Sequence, residues 1–301
     1  IEQASIKHGG FIRKSDLMQH TSEWVTPVSV KYRDYDIYEL PPNGHGIVTL
    51  MGLNILNQFD YQGKSVDDYH HCFEAMKLAF ASGKHHITDL NHMRVDVDSL
   101  LSEAYAKQMK ESIGDDAQMP IVHHPYQGGT VYLCTADQEG NMVSFIQSNY
   151  NGFVSGIVVE DTGIALQNRG VDFSLDENAV NFIQPNKRSY HTIIPGFLGK
   201  GERLIGPFGV MGGYMQPQGH LQVVRNMIDA DMNPQQALDE PRWQWIEGKK
   251  FIVEKHFDVE MIEALKKRGE WDKLGRPRKM SKEEFAQAYQ KVIQGDLKTT
   301  E

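Results

Sequence analysis

The sequence predicts an α+β fold, and three observations predict it. Apolar residues recur at helical spacing through 47–59, 66–80 and 100–113. From Thr130 onward the pattern changes to short β-favouring runs punctuated by Gly, Asn and Asp. Helical spacing then returns at 215–229, with Leu221, Val224, Met227 and Ile228 on one face. Strands with helices before and after them imply sheets packed in layers against helices.

The elements follow in order. Residues 1–8 read as a helix end stopped by Gly9-Gly10, and Ser15-Asp16 as the cap of a short helix over 17–21. Residues 28–32 and 37–40 read as strands joined around Arg33-Asp34-Tyr35, before a Pro41-Pro42-Asn43-Gly44 turn. The helix over 66–80 carries Phe73, Met76, Ala79 and Phe80 on its stripe, and Asp98 is positioned to cap the helix over 100–113. Residues 115–127, with two prolines, a paired Asp and a paired His, read as an exposed loop. Thr130 to Ala136 and Met142 to Ser148 form a hairpin about Asp137-Gln138-Glu139-Gly140-Asn141. Further strands are expected within 156–166, 191–198 and 203–208, then a short helix after Pro234 and a turn at Glu240-Pro241-Arg242-Trp243.

Composition narrows the function classes. At 301 residues and 40% apolar content the chain can bury one large core or two small ones. A net charge of −9 argues against a broad nucleic-acid or anionic-membrane surface. No apolar run reaches the roughly 18 residues that a membrane span requires, and no signal peptide opens the chain. Ile1 opens what reads as mid-helix polar sequence, so a natural N-terminus upstream is expected. Cys72 falls in a helical pattern and Cys134 in a strand, which predicts two buried thiols and no disulfide. This usage leans to the cytoplasm, with a secreted or periplasmic location open should a leader precede Ile1. The histidine pairs 70–71, 85–86 and 123–124 sit at adjacent positions that face apart, and no zinc-type spacing accompanies them, so no metal is expected.

The chemistry is concentrated at Gly128-Gly129-Thr130. A Gly-rich loop entering a hairpin explains these residues without any activity. If the Gly129–Thr130 bond were cut, however, the freed α-amine would sit beside Thr130 Oγ and serve as its base. Gly212 and Gly213 stand just before a helix, where backbone N–H groups favour a developing anion; a tight strand-to-helix turn is the plain alternative.

Three further stretches accompany Thr130: Ser155-Gly156-Ile157-Val158-Val159, the run from Asp161 to Ser174, and Gly209-Val210-Met211-Gly212-Gly213. Together they resemble the small subunit of the gamma-glutamyltranspeptidases, more closely their acylase-like branch, within the N-terminal-nucleophile hydrolases. Glu39-Leu40-Pro41-Pro42-Asn43-Gly44-His45-Gly46 resembles the large-subunit motif. The likeness covers residues 1–270, with several motifs in order and at the right spacing. It implies a four-layer αββα sandwich with antiparallel sheets, self-cleavage at Gly129–Thr130 and pairing of the two resulting segments. A homodimer stays open. The substrate class it implies is a γ-glutamyl or glutaryl-type amide, handled without a cofactor.

By the same resemblance Thr130 is the nucleophile, Ser148 the hydroxyl beside it, and Gly212 and Gly213 the oxyanion hole. Asp172 matches the carboxylate that holds the substrate ammonium, and His191-Thr192 replaces paired serines at the pocket wall. Two positions depart from the pattern: Tyr150 stands for an Asn, and Arg169 for an acid. An Arg there reverses the local charge and favours a carboxylate, or it lies at the surface paired with Asp172. For Asp172 alone, capping the loop before Phe173-Ser174 is the alternative.

Residues 1–129 thus form the end of a large-subunit-like segment and 130–274 a small-subunit-like one, sharing one domain. The large-subunit-like segment is shorter than the family's, so the Arg that grips the substrate carboxylate has no counterpart to name. Residues 275–301 depart from the family. Gly275-Arg276-Pro277-Arg278 resembles the arm of a resolvase-type helix-turn-helix, and Ser281 with Glu284 forms a capping box. A solvated terminal helix is the simpler reading there. An inactive family member kept for its fold or a partner surface is the alternative function, and nucleic-acid association through Arg276 to Lys279 is disfavoured by charge.

Overall fold

In the computed structural model, which describes residues 1–120, 129–152 and 155–270, two short helices open the chain. These are α1 (Glu2–Lys7) and α2 (Lys14–Gln19), followed by the hairpin of β1 (Val28–Tyr32) and β2 (Tyr35–Glu39). Next come α3 (Gly46–Leu56), α4 (Val66–His86), α5 (Val97–Leu100) and α6 (Glu103–Glu111). The second half holds β3 (Gly129–Ala136), β4 (Met142–Tyr150), β5 (Val158–Val159), β6 (Ile164–Ala165), β7 (Gly196–Lys200) and β8 (Arg203–Phe208). It closes with α7 (Met215–Ile228), α8 (Pro234–Asp239), β9 (Trp243–Glu247), β10 (Lys250–Val253) and α9 (Val259–Lys267). Among the described residues no helix is long and apolar enough to cross a membrane.

The largest sheet runs β1-β2-β7-β8 with every neighbour antiparallel, so it takes two strands from each side of Thr130. Helix α3 is apolar all round, and every residue in it except Asn54 is buried. It packs against β1 and β2 on one side and α4, α6 and α7 on the others. A helix without a polar face has to be enclosed, and this one forms the centre of the core. The β3–β4 hairpin leans on β8, with Ser144 Oγ donating to the Phe208 carbonyl at 3.4 Å. Gly209 is required at this contact, because a Cβ there would fall on the Tyr132 ring.

Several element boundaries differ from the sequence expectation, each for a local reason. The second helix begins at Lys14, because Asp16 accepts from the Arg13 N–H at 2.7 Å and so closes the first turn two residues earlier than a Ser15 cap would. The single helix expected over 100–113 is two: Asp96 accepts from Ser99 N–H at 2.7 Å and Ser102 from Tyr105 N–H at 3.2 Å. Two N-caps so close together divide one apolar pattern. Helix α4 runs past Phe80 to His86, helped by the Lys84 ammonium in the last turn, where a cation opposes the helix dipole favourably. The strand expected in 156–166 shrinks to two residue pairs, because Asp161 and Gly163 take positive φ and the chain turns between them. His191 lies outside β7 and bridges Gly44 instead, and Cys134 is exposed rather than buried.

Strands β9 and β10 and helix α9 were not expected. Their anchor is α7, where Gln218 and Gln222 face one way one turn apart. Each glutamine accepts a strand N–H, from Trp245 at 2.7 Å and Trp243 at 3.0 Å, and returns a bond to the same residue's carbonyl. A buried helix face thereby imitates a strand edge and satisfies β9 on that side.

A buried polar network ties α4 to the end of α9. Lys77 Nζ bonds Glu74 Oε1 at 2.7 Å and Glu270 Oε2 at 2.9 Å, and His70 Nδ1 meets Glu270 Oε1 at 2.7 Å. The His70 Nε2 reaches the Gly114 carbonyl at 2.8 Å. His70, Glu74 and Glu270 could together hold a metal ion, their ligand atoms lying within 4.8 Å of one another. The Lys77 ammonium already bonds both carboxylates, so a cation is built into this cluster. The expected loop over 115–127, the His123-His124 pair and the 275–301 tail lie wholly or partly outside the described residues.

Two outcomes follow. Leu50→Ala should cost about 2–5 kcal/mol of unfolding free energy by cavity formation, read from urea denaturation. His70 is the pH-sensitive member of the network. Burial opposes its charge, but the bonds to Glu270 and Gly114 outweigh burial and raise its pKa above the ordinary 6.5. A raised folded pKa contributes stability that is fully present below pH 6.5 and lost as pH rises through the folded value. The gap in melting temperature between the parent and His70→Gln should therefore be widest in mild acid and narrow with rising pH. A gap that does not change with pH would mean His70 acts only as a neutral hydrogen-bond partner.

Candidate active site

Thr130 is the second residue of β3 and pairs with Ser148 of β4, while Gly129 pairs with Tyr150. The register shifts between Gly129 and Thr130, so a β-bulge coincides with the Gly129–Thr130 peptide. The Thr130 hydroxyl donates to Ser148 Oγ at 3.2 Å, and Ser148 Oγ also accepts the Tyr150 N–H at 2.8 Å. Thr130 and Ser148 are half-buried, and Tyr150 is buried with a positive φ of 74°.

Beyond Tyr150 the site continues through a carboxylate. Asp172 Oδ1 accepts from the Tyr214 hydroxyl at 2.9 Å and the Tyr150 hydroxyl at 3.3 Å. Lys84 Nζ stands 3.9 Å from the same oxygen and bonds the Tyr214 hydroxyl. The Asp172 side chain is only 3% exposed, and its Oδ2 is buried without a hydrogen-bond partner. Burial raises the Asp172 pKa against the lowering pull of Lys84, Tyr214, Tyr150 and Arg169. Burial likewise lowers the pKa of Lys84, with Asp172 opposing.

Arg169 and Asp172 occupy one 3₁₀ turn, Arg169–Asp172. The Arg169 side chain does not lie at the surface: the residue is 6% exposed and reaches into the site. Its guanidinium donates to Thr192 Oγ1 at 2.9 Å and to the Ser148 carbonyl at 3.4 Å, and it covers the Tyr150 ring at 5.2 Å. Burial lowers its pKa, yet a guanidinium remains a cation throughout the working range. His191 is held on both sides by 43–45, its N–H donating to Asn43 O at 2.9 Å and its carbonyl accepting from His45 N–H at 2.8 Å. Burial, reinforced by Arg169, lowers the His191 pKa to about 3, so the ring is neutral at pH 7. Its Nδ1 accepts from Ile193 N–H at 3.2 Å, which leaves the ring proton on Nε2.

Part of this arrangement borders a broad open cleft of about 930 Å³. Ser148, Arg169, His191 and Asn43 line its floor, and the exposed Glu23–Arg188 pair, at 3.1 Å, lies on its rim. Gly212 and Gly213 take φ of +120° and +55° between β8 and α7. Their carbonyls accept from Met215 and Gln216 N–H, which starts the helix and orients the glycine turn. Tyr214, the next residue, carries that turn to Asp172.

The structure therefore joins most residues singled out in the sequence into one chain of contacts. It runs from Thr130 through Ser148, Tyr150 and Asp172 to Tyr214, which adjoins Gly213; Arg169 and Thr192 branch from it, with His191 beside them. Asp172 spends its carboxylate on tyrosine hydroxyls rather than on a loop cap. Lys84, Tyr190 and Tyr214 were missed. Lys77 and Lys84 continue the stripe of Phe73 and Phe80 at helical spacing, and a lysine on an apolar stripe was the available signal.

Comparison with known proteins places the chain in a family. A family model described as gamma-glutamyltranspeptidase matches residues 1–295. The glutathione hydrolase-like YwrD proenzyme of Bacillus subtilis is 40% identical over 270 residues, covering 87% of this chain and 51% of that protein. The oxamate amidohydrolase proenzyme of Klebsiella pneumoniae is 34% identical over 233 residues, covering 77% and 44%. The crystal structure of a cephalosporin acylase from Bacillus halodurans superposes with a TM-score of 0.85 at 53% identity, covering 90% of this chain and 50% of that one. The chain spans about half the length of the relatives it matches. With the fold, the hairpin and the family match in agreement, the chain belongs to the gamma-glutamyltranspeptidase family.

Proposed function

We propose that the chain is an N-terminal-nucleophile amidohydrolase or acyltransferase, self-cleaved at Gly129–Thr130, that acts on γ-glutamyl or glutaryl-type amides. The observation that carries this reading is the Thr130 hydroxyl bonded to Ser148 at the head of β3, beside a cleft floored by Arg169. In the first step Thr130 Oγ attacks the Gly129 carbonyl carbon. The peptide C–N bond breaks, the nitrogen takes the hydroxyl proton, and the resulting ester is opened by water. Thr130 is then left with a free α-amine and a free hydroxyl. In each later turnover the amine takes the proton from Oγ as Oγ attacks the substrate amide, and gives it to the leaving amine. Water or an amine acceptor then releases the acyl group.

Gly212 and Gly213 are proposed as oxyanion donors, with their N–H groups ahead of α7. Segments 1–129 and 130–274 would remain one domain, arranged as a four-layer αββα sandwich. Ser148 would orient the nucleophile, and Tyr150, Arg169, Asp172, His191 and Thr192 would form the acyl subsite. The neutral His191 can donate from Nε2 without adding charge. The name of the oxamate amidohydrolase also supports a carboxylate-bearing substrate, since oxamate is an amide with a carboxylate and no ammonium. The second reading is a family member kept for its fold or for a partner surface.

The parent protein should convert on incubation into segments 1–129 and 130–301, whereas Thr130→Ala should remain one chain of 34.2 kDa by intact mass. A folded parent that stays whole and turns over no acyl anilide would leave only the second reading. The head group supplies a second outcome. A charge-assisted bond contributes roughly 1.5–3 kcal/mol, so about tenfold discrimination between acyl groups is within reach of one guanidinium. Glutaryl anilide should compete well with γ-glutamyl anilide on the parent, and Arg169→Glu should move kcat/KM back towards γ-glutamyl. A parent that strongly prefers γ-glutamyl, with a ratio unmoved by Arg169→Glu, would remove Arg169 from the subsite.

A further inference from the structure

Three charged groups converge behind the Thr130–Ser148 pair, and they are unequally placed. Arg169 lines the cleft. Asp172 lies behind that wall, with Oδ1 held by Tyr214 and Tyr150 and Oδ2 sealed from solvent. Lys84 comes from the far side, carried by the last turn of α4. Its ammonium lies 4.6 Å from the Tyr190 ring centre and 4.4 Å from that of Tyr214, within reach of Asp172. An ammonium between two aromatic faces and a carboxylate is stabilised by both.

The arithmetic of charge then decides what the cleft can receive. Lys84 neutralises Asp172 from within, so the surplus at the wall is the single positive charge of Arg169. His191 adds nothing to that sum, being neutral, and Glu23 and Arg188 cancel one another at the rim. We propose that Lys84 is the resident counter-cation of Asp172 and the specificity-determining residue that restricts this subsite to acyl groups ending in a carboxylate without an ammonium, the ω-carboxyacyl amides. The proposal rests on the amidohydrolase reading for its substrate class, but the charge balance it describes can be measured by binding alone.

A substrate bearing both a carboxylate and an ammonium would offer its cation to a carboxylate that already has one. Removing Lys84 leaves Asp172 unmatched beside Arg169, a pair of charges suited to a zwitterionic head group. The specificity of the site would therefore be set from a helix that does not touch the nucleophile.

The test is calorimetric titration of the parent, Lys84→Met and Lys84→Gln with glutarate and with L-glutamate, alongside turnover of glutaryl and γ-glutamyl anilides. The parent should bind glutarate about tenfold or more tighter than L-glutamate, and either variant should narrow that ratio to about threefold or reverse it. Lys84→Arg, which keeps the charge, should hold the parent ratio. L-glutamate binding as well as glutarate to the parent, no binding of either, or a ratio unmoved in a folded Lys84 variant would overturn the inference. A parent ratio near one overturns the inference even if no variant folds. Should the binding pattern hold while neither anilide is turned over, the amidohydrolase reading falls and the role of Lys84 stands. Turnover without the binding pattern would overturn the role of Lys84 and leave the amidohydrolase reading standing.

Discussion

The rest of the molecule depends on one helix that cannot face water. Helix α3 has no polar side: its Thr49 hydroxyl donates to the Pro217 carbonyl at 3.4 Å and its Asn54 amide to the Leu101 carbonyl at 2.8 Å. Each large apolar side chain removed from water contributes about 1.5–3 kcal/mol, and α3 offers such side chains in every direction. The β1–β2 hairpin must therefore cover one flank and α4 and α7 the others. Once those partners are fixed, so are the ends that build the site. The C-terminal turn of α4 delivers Lys84, the entrance to α7 delivers the Gly212–Gly213 turn and Tyr214, and the chain preceding α3 delivers Asn43 to His191.

The site is an electrostatic compromise laid over that scaffold. A carboxylate buried as deeply as Asp172 is unfavourable unless matched by donors and counter-charge. Tyr150 and Tyr214 supply the donors, and Lys84 with Arg169 supplies the charge. The same contacts fix the geometry near Thr130. Tyr150 is two residues from Ser148, and Tyr214 follows Gly213, so one acid ties together the strand carrying the Thr130 partner and the glycine turn. Satisfying a buried charge and aligning the site are here a single interaction.

Much of this was legible in the sequence where a pattern repeats. The hairpin at 130–150 followed from alternation about Asp137 to Asn141, and the long helices from their stripes. Boundaries were lost where single side chains decide them: Ser102 starts a new helix inside one apolar pattern, and the turn at 161–163 consumes a strand. Strands β9 and β10 were illegible because what stabilises them is a helix face bearing Gln218 and Gln222, remote in sequence. Within the site, Thr130 stood out through the glycines that lead into its hairpin, and Ser148 only through the family resemblance. Arg169 was ambiguous, since sequence alone does not say whether a guanidinium turns inward. Lys84 was hidden because a lysine usually ends an apolar stripe, whereas here it projects from one into a carboxylate and two aromatic rings.

The sharing of the main sheet between the two sides of Thr130 bears on molecularity. Strand β2 hydrogen-bonds β7, so neither segment holds the whole of the four-stranded sheet. While the chain is continuous, bringing those strands together is an intramolecular event whose closure entropy grows only slowly with loop length. A cut at Gly129–Thr130 would leave the native contacts intact but turn reassembly from the unfolded state into an encounter of two chains, dependent on concentration. Cleavage would then act as a ratchet: the uncut chain sets the fold, and the cut product persists through the slowness of its unfolding rather than through ready refolding.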